Sequence, residues 1–230
     1  MDATGNLYVA GDNNRAEGED CLKEQYNDPY LEFLSRYNPS GNLVWWRALS
    51  IGVPQDMGVS SSGSVYVVGT QGLRRYSPSG GLAWSKSGGG DAAHLALTAT
   101  HLYVRNGNTL KQYSGSGSLK WSRTMSGLTA PVFADLAGDS NGNVYLVGQT
   151  TTSRGDRDPL VRKVNATGAV VWTKSFGSSV YDDATGVATL DGSEICVTGE
   201  SRGSFAHRNL GGSDGYLRKM NSSGSRVWTR

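Results

Sequence analysis

The stretch Asn38-Pro39-Ser40-Gly41-Asn42-Leu43-Val44-Trp45 returns four more times along the chain in altered form, at residues 77–84, 114–121, 165–172 and 221–228. In every copy a glycine lies four residues before a tryptophan. Such a fixed spacing is the signature of a repeat architecture, in which each copy is one supersecondary unit. The chain therefore consists of five copies of one structural unit.

The local structure of this stretch follows from its residue types. Asparagine or serine at the first turn position, proline at the second in two copies and glycine at the fourth are typical of a type I turn. The residues after the glycine form a strand that ends in a large aromatic side chain. An isolated hairpin cannot bury that side chain, so each repeat must pack against another.

Up to three further strands, a, b and c, are predicted upstream of each turn and tryptophan. Short runs rich in β-branched and aromatic residues, most of them closed by glycine, indicate a strand b in every repeat, at 6–11, 64–69, 101–104, 143–148 and 194–199. In four repeats another strand, a, precedes it, at 56–59, 93–97, 132–136 and 184–188. Strand c is predicted at 31–37, 73–76, 110–113, 160–164 and 216–220, and strand d ends near each tryptophan.

Four antiparallel strands in each repeat predict an all-β fold, a β-propeller with five blades in this chain. The high glycine content, 32 of 230 residues, agrees with many tight turns between short strands. We expect residues 1–230 to form a single propeller, with blades at approximately 1–49, 50–88, 89–125, 126–176 and 177–230. The first blade lacks a strand a, from which we expect the chain to be part of a longer protein or larger propeller.

Two segments resemble a known family. Asp158 to Trp172 and Asp214 to Trp228, with the Gly-Gly-Ser-Asp run that ends at Asp214, resemble the bacterial β-propeller repeat called SBBP. Thr167-Gly168 followed by Trp172 is more loosely similar to the tryptophan-docking repeats of PQQ-type propellers. The SBBP resemblance implies a propeller, often from exported bacterial proteins, and no activity common to the family.

The repeats differ most between strands b and c. The distance from the aromatic position of strand b to the turn glycine is 33, 14, 14, 23 and 28 residues in the five blades. We therefore expect long b-to-c loops in blades 1, 4 and 5 on one face, contiguous if a ring closes. Loops on a rigid scaffold commonly carry binding residues. The binding candidates are Asp12, Arg15, Glu19, Asp20, Tyr26, Trp46, Arg154, Asp156, Arg157, Asp183, His207 and Arg208.

Several of these candidates have alternative interpretations. The loop of blade 1 holds six acidic and two basic residues, which fits a cation or basic-partner site or an ordinary solvated loop with one short helix near 20–25. The five repeat tryptophans suit packing between blades, or stacking against sugars. Trp46, which points away from Trp45, is the candidate for an exposed aromatic residue.

Metal and catalytic motifs are not evident in the sequence. The three histidines are scattered, and Cys21 and Cys196 match no metal spacing. Cys196 replaces the tyrosine of other repeats and is interpreted as a small core residue, with a disulfide to Cys21 as the alternative. Asp139-Ser140-Asn141-Gly142 resembles the start of a calcium loop but fits a turn. We predict no cofactor and no metal.

Charge and hydropathy restrict the class of partner. The net charge is +2, which predicts no general attraction to nucleic acid, and no apolar run is long enough for a membrane span. The start of the chain shows no leader pattern. We expect an extracellular or cell-envelope location with a leader outside this chain, and the sequence leaves a cytoplasmic location open.

These observations favour a non-enzymatic scaffold of the bacterial envelope or cell surface, which binds another protein through the loops of blades 1, 4 and 5. That protein could be a surface assembly or further domains of the same polypeptide. The first alternative is a carbohydrate-binding propeller, which predicts equivalent aromatic pockets between blades. The second is an enzyme, such as a quinone-dependent dehydrogenase or a lyase, for which Asp183 with Arg154 or His207 is the pair to test.

Overall fold

The structure, a computed structural model, describes residues 1–12, 32–88, 90, 93–125, 132–189, 191–204 and 211–230. It forms two compact units, residues 1–93 and 94–230. The strands of the described residues assemble into five antiparallel sheets, one for each repeat. This confirms the predicted all-β fold with propeller blades.

The first unit contains blades 1 and 2. Blade 1 consists of β1 (Leu7–Asp12), β2 (Glu32–Tyr37) and β3 (Leu43–Leu49). Blade 2 consists of β4 (Pro54–Val59), β5 (Val65–Gly69), β6 (Gly72–Tyr76) and β7 (Leu82–Ser87). Within the described residues blade 1 has three strands and blade 2 has four, as predicted from the missing strand a. Their facing surfaces share a core that includes Tyr8, Leu34, Trp45 and Ile51.

The second unit contains blades 3, 4 and 5, each with four strands in the order a, b, c, d. Blade 3 consists of β8 (His94–Leu97), β9 (His101–Asn106), β10 (Thr109–Ser114) and β11 (Leu119–Thr124). Blade 4 consists of β12 (Val132–Gly138), β13 (Val144–Thr151), β14 (Arg157–Val164) and β15 (Val170–Ser175). Blade 5 consists of β16 (Asp182–Thr189), β17 (Glu194–Ser201), β18 (Asp214–Asn221) and β19 (Arg226–Thr229).

Each recurring stretch forms the predicted turn between strands c and d. The glycine amide bonds to the carbonyl three residues earlier, as between Gly41 and Asn38 at 2.9 Å, and the glycine φ is +81°. A register shift follows in the paired strands, between Arg36 and Tyr37 in blade 1. A type I turn followed by a left-handed residue and a bulge twists the hairpin in this way. The other four blades repeat both features.

The repeat tryptophans join neighbouring blades. The indole nitrogen of Trp45 donates to the carbonyl oxygen of Pro78 at 3.0 Å, and its ring covers the turn glycine Gly80. In the second unit Trp121 contacts Ala166 and Gly168 in the same way, and Trp172 contacts Ser222. Packing between blades is thus confirmed for these three tryptophans.

Cys196 lies in strand b of blade 5, where four other blades have a tyrosine packed about 6 Å from the repeat tryptophan. Its thiol is free and half-buried. It is therefore less buried than the predicted small core residue, and the alternative of a disulfide to Cys21 stays a prediction. Cys21 lies outside the described residues.

The structure corrects the predicted loop of blade 4. Strands β13 and β14 each have eight residues, whereas β5 and β6 of blade 2 each have five. The connection between β13 and β14 is therefore only residues 152–156. Most of the additional length in this blade extends the hairpin, because Thr150 and Thr151 continue the ladder opposite Asp158 and Arg157. In blade 5 the connection from β17 to β18 is longer, residues 202–213.

Candidate functional site

The candidate residues divide between the two units. Asp12 and Trp46 belong to the first unit, and Arg154, Asp156, Arg157 and Asp183 belong to the second. The remaining candidates lie outside the described residues: Arg15, Glu19, Asp20, Tyr26, His207 and Arg208. The structure therefore gives the positions of four candidates in blades 4 and 5 and of two in blade 1.

In the first unit the two candidates are not part of one site. Asp12 is exposed at the end of β1, opposite Glu32 in the strand register. Trp46, the candidate for an exposed aromatic residue, is half-buried. It lines an open groove of about 730 Å³ together with Trp45, Arg47 and exposed residues of β3. Adjacent residues on a strand point to opposite sides of the sheet. The side on which Trp46 lies is therefore the one opposite Trp45, and it is partly covered.

The connection of blade 4 holds Arg154 and Asp156 in a tight turn. Gly155 has a φ of +89°, and its amide donates to the carbonyl of Thr152 at 3.1 Å. Arg154 Nε lies 3.5 Å from Asp156 Oδ2, and the arginine side chain is 65% exposed. An exposed ion pair of this kind stabilises a fold by less than about 1 kcal/mol. Arg154 is the more accessible of the two, since the Asp156 side chain is 31% exposed.

Tyr181 lies at the centre of a group of side chains from separate strands. The guanidinium of Arg202 is 4.8 Å from the centre of the Tyr181 ring, and that of Arg157 is 5.9 Å from it. The Tyr181 hydroxyl donates to Asp183 Oδ2 at 3.2 Å. We call Arg157, Tyr181, Asp183 and Arg202 the Tyr181 cluster.

The strand order explains why these residues meet. Arg157 opens β14, Tyr181 directly precedes β16, and Arg202 directly follows β17. The amide of Arg202 donates to the carbonyl of Tyr181 at 2.9 Å, which holds the last two together. Antiparallel strands place the start of β16, the end of β17 and the start of β18 at one end of the blade. This is the face on which sequence analysis placed the b-to-c connections.

The surroundings of Tyr181 keep its hydroxyl group protonated. Burial raises the pKa of Tyr181, and the carboxylate of Asp183 raises it further. The phenol therefore keeps its proton at neutral pH and remains a donor to Asp183. The backbone carbonyl of Asp183 in turn accepts a hydrogen bond from Tyr216 at 2.7 Å. The cluster thus presents a fixed aromatic ring flanked by two cations.

A second group adjoins the cluster. Asp182 is fully buried, and its Oδ2 accepts hydrogen bonds from the amide and the hydroxyl of Ser178. A β-carbon on Gly177 would lie 2.7 Å from Asp182 Oδ2 and 2.7 Å from Asp158 Oδ1. We call Asp158 and Asp182 the acidic pair. Burial raises the pKa of Asp158, and the charge of Asp182 raises it further.

The predicted catalytic pair does not form as expected. Asp183 bonds to Tyr181, whereas Arg154 pairs with Asp156 across its own turn. His207 lies outside the described residues. Asp135, in strand a of blade 4, accepts hydrogen bonds from the amide of its neighbour Leu136 and from the amide of Val187 in the next blade. This carboxylate therefore helps to join two blades.

The sugar-stacking alternative required the flat faces of the repeat tryptophans. Those of Trp45, Trp121 and Trp172 are covered by the turn glycines Gly80, Gly168 and Gly224.

The Asp139 segment, which resembles the start of a calcium loop in sequence, uses its carboxylate within its own turn. Its carboxylate accepts bonds from the amides of Asn141 and Asn143 and from the hydroxyl of Tyr145, so it stabilises the turn.

The described residues contain no group of three or more histidine, cysteine, aspartate or glutamate side chains placed to hold a metal ion. They also contain no helix with the length and apolar character needed to span a bilayer.

Comparisons with known proteins identify the fold. No family model matches the chain, and no curated protein matches it. It is similar to a Bacteroides caccae protein of unknown function (13% identity, TM-score 0.54, 87% of this chain and 76% of that chain). It is also similar to the Neurospora crassa Pan2 WD40 domain (10%, 0.59, 86% and 60%). A third similar structure is a chain of a mitotic checkpoint complex (13%, 0.62, 87% and 58%).

These likenesses show a β-propeller, since WD40 repeats build propeller blades. The chain spans 60% and 58% of the second and third of these structures. At 10–13% identity they carry no information about a ligand. The resemblance to the SBBP repeat stays a prediction.

Tyr181, Arg202 and the acidic pair were not predicted from the sequence. Tyr181 and Asp182 directly precede the candidate Asp183, and Asp158 directly follows the candidate Arg157. The consecutive aspartates were the available signal, because two adjacent acids at the start of a strand point to opposite sides and one must be buried. The contact of Arg202 with Tyr181 had no sequence signal.

Proposed function

We propose that this chain is a non-enzymatic interaction propeller that binds another protein through the end of blades 4 and 5 that carries their b-to-c connections. The Tyr181 cluster is the centre of the binding surface in blades 4 and 5. Arg154, Asp156 and the exposed Val180 form its surroundings.

The observation that carries this proposal is the placement of Tyr181 between Arg157 and Arg202. Tyrosine and arginine are among the residues that contribute most binding energy at protein interfaces. The hydrogen bond to Asp183 and the two cation–π contacts already restrict the ring. A restricted side chain loses little conformational entropy when a partner covers it.

The charges of the cluster suggest the chemistry of the partner surface. Arg157 and Arg202 are both exposed, and a guanidinium suits bidentate binding of a carboxylate. The acid of the cluster, Asp183, already accepts a hydrogen bond from Tyr181. We therefore expect the partner to present an acidic side chain beside an apolar or aromatic one.

The proposed location is the bacterial envelope or cell surface. Its support is the resemblance of Asp158 to Trp172 and of Asp214 to Trp228 to a repeat found in exported proteins. The similarity to a propeller from Bacteroides caccae is compatible with a bacterial protein.

The test is affinity capture from envelope extracts of the native source with the full chain as bait, in parallel with two variants. Arg202→Ala removes the closer cation of the cluster. Arg226→Ala removes an exposed arginine at the opposite end of blade 5 and is the matched control.

We expect a partner protein that wild type and Arg226→Ala retain and that Arg202→Ala loses. Reconstitution from purified components should then give at least a tenfold weaker Kd for Arg202→Ala. A partner bound equally by both variants would place the binding surface elsewhere.

A further inference from the structure

We propose that the outer strands of the blades bind an acidic polysaccharide, a sugar chain whose repeating units carry carboxylate or sulfate groups. The outer strand is strand d, which lies at the edge of each of the five sheets. The structure describes every residue of these strands, β3, β7, β11, β15 and β19. They contain none of the residues of the Tyr181 cluster, so this surface is independent of the protein binding proposed there.

Basic side chains recur at one fixed position of the outer strands. The second residue after the repeat tryptophan is an arginine or a lysine in every blade: Arg47, Lys86, Arg123, Lys174 and Arg230. We call these five residues the outer cations, and all of them are exposed. The outer strands contain no aspartate and no glutamate. The net charge of +2 is therefore unevenly distributed, with an excess of positive charge along these edges.

The outer cations have no acidic partner in the part of the chain that the structure describes. The guanidinium of Arg47 donates to the backbone carbonyl of Gly80 at 2.7 Å, and that of Arg123 donates to the carbonyl of Ser122 at 3.2 Å. Such neutral acceptors leave the positive charge uncompensated. A repeated array of charges of one sign attracts a ligand that carries many charges of the opposite sign.

Packing holds three of the outer cations at the junctions between blades. Arg123 Cγ lies 3.3 Å from where a β-carbon of Gly168 would be, and Lys174 Cγ lies 3.1 Å from the same point of Gly224. A terminal nitrogen of Arg47 lies 3.1 Å from that point of Gly80. Because each side chain rests on the turn of the next blade, it loses less conformational entropy when a ligand binds.

A hydroxyl group accompanies each of these three cations. The residue directly before the turn glycine on which the cation rests is an exposed serine or threonine: Ser79, Thr167 and Ser223. A cation beside a hydroxyl can bind an anionic group and a hydroxyl of one sugar unit. In the second unit this combination occupies two consecutive blade junctions. Repeated contacts along one polymer strengthen binding through multivalency.

Nucleic acid is the alternative polyanion, and the surface chemistry favours a sugar chain. Proteins that bind single strands stack the bases on exposed aromatic faces, whereas those of Trp45, Trp121 and Trp172 are covered by turn glycines. Leu119 and Val170, beside the outer cations, are 53% and 48% exposed. Apolar side chains suit the C–H faces of sugar rings better than they suit a phosphate backbone.

The experiment measures binding of the full chain by fluorescence anisotropy, with labelled polygalacturonate and labelled dextran sulfate as separate probes. These two probes distinguish carboxylate from sulfate recognition. Unlabelled neutral dextran and duplex DNA, the DNA at equal concentration of charge, serve as competitors. Arg123→Gln and Lys174→Gln each remove one charge and keep a long side chain. Lys120→Gln, at an exposed lysine of the same strand as Arg123 but outside the fixed position, is the matched control.

We expect saturable binding of at least one acidic polysaccharide, weakened by added salt, and no competition by neutral dextran. Arg123→Gln and Lys174→Gln should each lower the affinity by about three- to fivefold, as expected for an exposed charge pair. The double variant should lose about tenfold or more, because separate contacts add. Lys120→Gln should lose less than about twofold. Urea unfolding of each variant checks that it folds, and Lys174→Gln keeps the test informative if Arg123→Gln does not.

Four results would overturn the proposal. One is the absence of saturable binding of both probes at physiological salt. Another is competition by duplex DNA that equals competition by the unlabelled polysaccharide at equal charge. A third is a loss in Lys120→Gln as large as that in Arg123→Gln, which would reduce the effect to net charge. The last is a double variant that binds like wild type but aggregates, since charged residues also prevent exposed edge strands from pairing.

Discussion

The indole nitrogen of Trp121 donates a hydrogen bond to the carbonyl oxygen of Ala166, 45 residues later, at 3.0 Å. Two residues beyond that carbonyl, Gly168 lies under the same indole, where a β-carbon would be 3.1 Å from the ring. The tryptophan of one repeat is thus recognised by the turn of the next. The tryptophan and the turn glycine that identify each repeat in the sequence are therefore the residues that join blades 3 and 4.

Substituting the turn glycine tests this contact. Gly168 has a φ of +84°, so Gly168→Ala should cost about 1–2 kcal/mol of unfolding free energy for backbone strain. Displacement of the Trp121 ring should add about 1–3 kcal/mol. Gly155→Ala is the matched control, with a φ of +89° and no atom within 4 Å of its β-carbon. Equal losses in urea unfolding of the two variants would show that the ring contact contributes nothing.

Substituting the tryptophan tests the hydrogen bond. Trp121→Phe should lower the unfolding free energy by about 1–2 kcal/mol, since a net hydrogen bond contributes about 0.5–1.5 kcal/mol and some buried area is also lost. The Ala166 carbonyl keeps its bond from Gln112, which limits the loss. Leu119→Ala, at a residue of the same strand that is 53% exposed, should change stability by less than about 0.5 kcal/mol. A loss of similar size in the two variants would contradict the docking role.

The buried tyrosines predict alkaline sensitivity. Burial, and the nearby charge of Asp139, raise the pKa of Tyr145 above its ordinary value near 10. Above about pH 10 the unfolded chain releases this proton and the folded chain keeps it. The free energy of unfolding should therefore be unaffected by this group below pH 10 and fall as pH rises beyond it, by up to about 1.4 kcal/mol per unit.

Tyr145→Phe isolates this contribution. The variant should be less stable than wild type at pH 8, because the bond from the hydroxyl to Asp139 Oδ2 is lost. Its stability should decline less steeply than that of wild type between pH 10 and 11.5 in urea unfolding. Parallel pH profiles would mean that Tyr145 ionises normally in the folded protein.

Much of the fold could be predicted from the sequence because each blade is specified locally. Asn38 and Gly41 define a turn whatever surrounds them, and the strand around Tyr145 is apolar at consecutive positions because both faces are covered. The extension of β13 to Thr151 could not be predicted. Polar residues such as Gln149 and Thr150 are typical of loops. Here they continue the strand, because β14 pairs with their backbone groups.

The candidate site was predicted in part. Arg157, chosen from loop variation, and Asp183, chosen as an acid of strand a, both contact Tyr181, and Arg202 completes the cluster. Arg154, one of the two partners suggested for Asp183, instead contacts Asp156 across a tight turn at Gly155. Contacts among strand ends depend on register, which single positions in a sequence do not encode.

The most direct test of the proposed function is photo-cross-linking in the native source at Val180, next to Tyr181. Val180 is 41% exposed, and a benzoylphenylalanine there leaves the Tyr181 cluster intact. Val227, 52% exposed on the outer strand of the same blade, is the control position. We predict a discrete protein adduct from position 180 that is absent from position 227 and is lost when Arg202→Ala is added. No adduct at position 180, or the same adducts at both positions, would contradict a protein-binding surface at the Tyr181 cluster.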